Sequence, residues 1–134
     1  MTAVQHVALN CRDVRAQEEF YGRCLGFRRS RVFQAGTPGE YVMLRLGATC
    51  LELFPATASG GREGAGGEQA VGFKHLAFEV DDLDEAVTAL RDGGVRTGEI
   101  IDCSAVVEGL RICFLDDPEG NCLELMQGYT DAEA

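Results

Sequence analysis

His6-Val-Ala-Leu-Asn-Cys-Arg-Asp-Val14 and His75-Leu-Ala-Phe-Glu-Val-Asp-Asp-Leu83 are one motif written twice at an offset of 69 residues, with His, the Ala two places on and the Asp seven places on in common. Further along each half comes a second match, Cys50-Leu-Glu-Leu53 against Cys122-Leu-Glu-Leu125, at an offset of 72 that needs only three extra residues in a loop. His and Glu stand 46 residues apart in the first half and 49 in the second. A repeat of this kind means that one supersecondary unit occurs twice.

Working outward from the repeat, each half reads through the same elements. In the first, residues 4–10 alternate as a strand, Asp13 is placed to cap a helix over 16–25, and Gly26 ends it. Strands follow at 27–34, 40–46 and 49–54, punctuated by Gly-Thr-Pro-Gly39 and Gly47. The second half repeats the order with strands at 73–80, 97–103, 110–116 and 121–126 and a helix over 83–91. The expected class is α+β: two βαβββ modules forming a curved mixed sheet with the helices on its outer face. Module one spans 3–54 and module two 73–127, in one domain. Residues 55–72, dominated by Ser-Gly-Gly-Arg-Glu-Gly-Ala-Gly-Gly67, read as a linker, and 128–134 as a frayed tail.

Strand parity then sorts the polar residues, because residues two apart share a face. Val7 and Leu9 are apolar and belong under the first helix, which turns His6, Ala8 and Asn10 to the opposite side. Leu76, Phe78 and Val80 do the same for His75, Ala77 and Glu79. Leu51 and Leu53, and Leu123 and Leu125, face inward, so that Cys50, Glu52, Phe54, Cys122, Glu124 and Met126 face away. If the first and last strands of each module are neighbours, imidazoles and carboxylates converge. Carboxylates gathered in a partly buried site require a compensating cation. A divalent metal fits, and a donor set of His6, Glu52, His75 and Glu124 suits Ni, Co, Zn, Mn or Fe. Arg45 and Arg111, in candidate strands, read either as solvated strand residues or as a grip for a substrate carboxylate beside it.

The chain has 134 residues, 46% hydrophobic and 25% charged, which suits one soluble domain with a sizeable core. A formal net charge of −10 disfavours nucleic acid and anionic membrane surfaces as partners. No apolar run reaches the length of a membrane span, and the first residues lack the pattern of a signal peptide, so the expected location is the cytoplasm. The six cysteines show no Cys-x-x-Cys spacing and read as reduced thiols within apolar strands.

His6 to Val14 together with Phe20-Tyr21 and Leu25-Gly26-Phe27, then Gly72 to Leu83 and Phe114-Leu-Asp-Asp-Pro-Glu-Gly-Asn-Cys-Leu-Glu-Leu125, resemble the vicinal oxygen chelate superfamily along nearly the whole chain. The closest resemblance is to glyoxalase I. Within that superfamily, filling all four ligand positions implies enolisation chemistry on a small molecule that chelates the metal through vicinal oxygens. By the same resemblance Glu124 is the first choice for the ligand that moves a proton, with Glu52 as its partner carboxylate, the pseudo-symmetric sequence leaving the two roles exchangeable, and the protein is a homodimer. The implied activity is lactoylglutathione lyase-like; glyoxalase I enzymes commonly carry Arg and Asn to hold glutathione where this chain has Asn10 and Ala56, a departure that leaves both a glutathione adduct and another small substrate open. Asn10, Arg45, Glu79 and Arg111 are the candidate substrate contacts. Alternative activities within the superfamily are bleomycin- or fosfomycin-type resistance, CoA-ester epimerisation and extradiol-type dioxygenation.

Overall fold

The computed structural model describes residues 1–58 and 72–132. Most of the expected linker, and the last two residues of the expected tail, lie outside the described residues. The chain divides into two compact units, Met1–Gly61 and Arg62–Ala134.

The first unit runs β1 (His6–Cys11), α1 (Val14–Leu25), β2 (Arg28–Phe33), β3 (Tyr41–Leu46) and β4 (Thr49–Pro55). Its four strands form one mixed sheet in the order β1-β4-β3-β2, with β1 parallel to β4 and the other pairs antiparallel. Asp13 caps α1, its carboxylate accepting from the Ala16 amide at 3.0 Å. The helix stops at Gly26, whose φ of 79° lets its own N–H reach Gly22 O while that of Phe27 reaches Tyr21 O. Phe20 and Tyr21 from α1 and Phe27 beyond it meet edge to face and are buried, as are Val42, Leu44, Leu51 and Leu53 of the sheet.

The second unit repeats this plan: β5 (Leu76–Glu79), α2 (Leu83–Asp92), β6 (Ile101–Asp102), β7 (Arg111–Asp116) and β8 (Cys122–Gln127), in the order β5-β8-β7-β6. Asp82 caps α2 through the Glu85 amide at 2.9 Å. Leu83, Val87 and Leu90 lie at helical spacing and are buried, together with Cys113, Leu115, Leu123 and Leu125 of the sheet. Each such leucine contributes about 1.5–3 kcal/mol by leaving water. Both sheets place their first strand beside their last, as the repeat implies. The two βαβββ modules are thus present, each with its own four-stranded sheet.

Two strands depart from the sequence reading for one reason. The expected strand over 97–103 shrinks to Ile101–Asp102 plus an isolated bridge from Thr97 to Leu115. Between those contacts this side spends three residues (Gly98 to Ile100) against two on β7 (Cys113 and Phe114), so the ladder is interrupted by a bulge. In the matching strand of the first unit the register shifts between Arg29 and Arg31, leaving Ser30 as the extra residue. Among the described residues no helix is long and apolar enough to cross a membrane.

Candidate metal centre

The first His–Glu pair is built by the parallel pairing of β1 and β4. The register sets Ala8 opposite Glu52 and His6 opposite Cys50, so His6 and Glu52 share the face turned away from Leu51 and Leu53. His6 Nε2 lies 3.2 Å from Glu52 Oε2, with the His side chain 43% exposed and the Glu 14%. Behind the imidazole, His6 Nδ1 is 2.6 Å from Gln5 Oε1. The Gln5 amide is oriented by its Nε2, which donates to Cys50 Sγ at 3.6 Å. A carboxamide oxygen can only accept, so Nδ1 carries the proton. In the neutral ring the Nε2 lone pair therefore faces a carboxylate oxygen. Two electron-rich atoms in that arrangement require a cation between them, a proton or a metal.

The second pair repeats the first. His75 immediately precedes β5, Ala77 stands opposite Glu124, and His75 Nε2 approaches Glu124 Oε2 to 2.8 Å with side chains 27% and 12% exposed. Phe114, opposite Glu124 on β7, meets the His75 ring at 5.7 Å and 64°. Lys74 occupies the position matching Gln5 and, being a donor only, cannot serve Nδ1 as Gln5 does.

The donor set fits a first-row divalent ion. Two ligands at right angles with bonds of about 2.1 Å stand roughly 3.0 Å apart, and the observed separations need little adjustment to reach that value. Among the described residues no three His, Cys, Asp or Glu side chains gather into a site; each unit holds one His–Glu pair.

The other expected contacts divide. Asn10 is exposed on the His6 face, opposite Phe54. Arg45, exposed, pairs with Cys50 in register and so shares that face; its Nη1 donates to Gly47 O at 3.5 Å. Glu79 is exposed opposite Met126, on the Glu124 face. Arg111 is corrected: its parity is that of buried Cys113 and Leu115, which turns it to the helix side. There it donates to both Asp84 carboxylate oxygens at 2.6 and 2.9 Å, a pairing that holds the Asp84 carboxyl below its ordinary range and raises the guanidinium. It does not stand beside Glu124. Cys50 keeps the expected parity but is fully buried, with the Gln5 amide on its sulfur. Burial, then the neighbouring Asp116 and Glu124 carboxylates, push the Cys122 thiol up, which keeps it protonated beside its neighbour Glu124.

Sequence reasoning missed an aromatic row. Phe33, Tyr41 and Phe54 stack face to face on the His6 side of the first sheet, with centroids 4.6 and 4.2 Å apart and planes within 9° and 19°. Their parity was readable, but their alignment across three strands required the register of the bulged hairpin.

Comparison with known proteins agrees with this geometry. The chain belongs to the Glyoxalase/Bleomycin resistance protein/Dioxygenase superfamily, whose family model matches residues 3–125. It is 32% identical to YwkD of Bacillus subtilis over 95% of this chain and 98% of that one, and 33% identical to YaeR of Escherichia coli over 92% and 95%. Among solved structures, a glyoxalase family protein from Enterococcus faecalis superposes with a TM-score of 0.75 at 29% identity, covering 92% of this chain and 96% of that one. Lactoylglutathione lyase from Agrobacterium tumefaciens superposes at 0.67 with 25% identity, covering 96% and 95%.

Proposed function

We propose that the protein is a metal-dependent lyase or isomerase of the glyoxalase I kind, moving a proton on a small substrate held through vicinal oxygens. The carrying observation is the duplicated pair: Nε2 and Oε2 at 3.2 Å in one half and 2.8 Å in the other, each set by the same strand register. His6, Glu52, His75 and Glu124 would hold one divalent ion, Ni, Co, Zn, Mn or Fe, whose role is to polarise the substrate oxygens. Likeness to lactoylglutathione lyase supports the reaction class.

The chain's own groups then account for the proton transfer. Glu124 removes the proton from the carbon next to the carbonyl and returns it to the adjacent carbon, and Glu52 balances it from the matching position. A carboxylate 12% exposed with Phe114 opposite is shielded from bulk water and stands within reach of a bound small molecule. Gln5 fixes the tautomer of His6. The protein would work as a cytoplasmic homodimer on a small molecule.

Elemental analysis of the wild type, His6→Ala and Glu124→Gln after dialysis with each metal tests the reading. About one metal per site is expected, lost or weakened in the variants. Glu124→Gln should also reduce turnover of a hemithioacetal by about 10²–10⁴. A wild type that takes up no divalent metal overturns the proposal. The net charge of −10 favours a second reading, sequestration of a cationic drug. Tight drug binding by metal-free protein would put that reading first.

A further inference from the structure

The aromatic row of the first sheet has an open end. Across the strands in the order β1-β4-β3-β2, one row on the ligand-bearing face reads Asn10, Phe54, Tyr41, Phe33. Three of its four places hold parallel rings, and the Arg31 guanidinium lies 5.9 Å from the Phe33 centroid at the far end. The fourth place, on β1, holds the short and exposed Asn10. Neighbouring strands lie about 4.8 Å apart, close to the stacking distance of flat rings, so a ring set over β1 continues the stack on Phe54 without distortion.

Cross-strand aromatic pairs do stabilise sheets. That role does not require the face chosen here, turned away from the buried Leu51 and Leu53, nor rings left only half-buried. The next row along the strands reads Ala8, Glu52, Met43, Arg31. The place over Asn10, where no ring among the described residues is found to stack on Phe54, is therefore two residues, roughly 7 Å, from the row of Glu52, in which β1 carries only the small Ala8.

We propose that Phe54 and Asn10 form a subsite for a planar, aromatic or conjugated, substituent of the substrate, which takes the fourth position in the stack while the Asn10 carboxamide hydrogen-bonds to a polar group at the ring edge. The substrate class is then an aryl-substituted hydroxycarbonyl compound or its thiol adduct. The assignment rests on the proposed function only in placing the reacting oxygens at the His–Glu row.

The test compares phenacyl alcohol with cyclohexyl hydroxymethyl ketone, which share the vicinal oxygens and differ in having a flat or a puckered ring. Affinities are measured by titration calorimetry with the whole protein, both metal-loaded and metal-depleted. The flat compound should bind about three- to tenfold more tightly, the value of one aromatic stack. Phe54→Leu should erase the preference, and Asn10→Phe, which fills the place with a protein ring, should weaken the flat ligand in protein whose circular dichroism is unchanged. Equal affinities in the wild type, a preference that survives in both variants, or no binding of either ketone at millimolar concentration would overturn the subsite. A flat-ring preference in protein that takes up no metal would keep the subsite and remove the metal-dependent reading, and metal uptake without the preference would do the reverse.

Discussion

For the proposed metal centre, Gln5→Ala isolates how much of the metal affinity would come from behind His6. The Gln5 oxygen sits 2.6 Å from His6 Nδ1, and its amide nitrogen is held by Cys50 Sγ. Removing it frees the ring to rotate and to exchange tautomers, so the Nε2 lone pair is aimed at Glu52 only part of the time. Loss of such a partner typically costs 10–100-fold in metal affinity, and because His6 is 43% exposed water recovers part of the bond, which places the expected loss near about tenfold. Competition with a chromophoric chelator for cobalt or zinc reads this directly. Lys74→Ala is the internal control, because the ammonium at the matching position does not accept from an imidazole, and its affinity should stay within about twofold. Unchanged affinity in Gln5→Ala, or an equal loss in Lys74→Ala, would refute the relay.

Further expectations concern the scaffold. Asp13→Ala and Asp82→Ala each remove the carboxylate that caps a helix, and each should lower the unfolding free energy by about 1 kcal/mol in urea titrations. Arg111→Ala should leave metal uptake and turnover unaltered, since the side chain faces α2. Because Arg111 depresses the Asp84 carboxyl, their pairing stabilises the fold at neutral pH and is lost as pH falls through the lowered value. The variant should therefore show a slightly flatter acid side in its melting temperature against pH.

The fold was legible because the sequence states it twice. Asp13 and Asp82 marked both helix starts, and strand parity put His6, Glu52, His75 and Glu124 on the faces they occupy. Arg111 could have been sorted by the same parity, since Cys113 and Leu115 share its side. The aromatic row was not legible. Phe33, Tyr41 and Phe54 come into line only through pairings that the extra residue at Ser30 offsets by one, and a bulge leaves no reliable mark in alternation. The same physics shortened the strand expected over 97–103.

β2 is the outer strand of its sheet, and it carries Arg28, Arg29 and Arg31 around the break at Ser30. Arg29 is clamped by Glu18 at 2.6 Å, while the others leave the margin positively charged in a protein that is otherwise strongly acidic. A strand from another chain approaching this margin finds neither a straight ladder of amides nor an uncharged one. Growth of the sheet past β2, the first step towards ribbon-like aggregates, is thereby disfavoured.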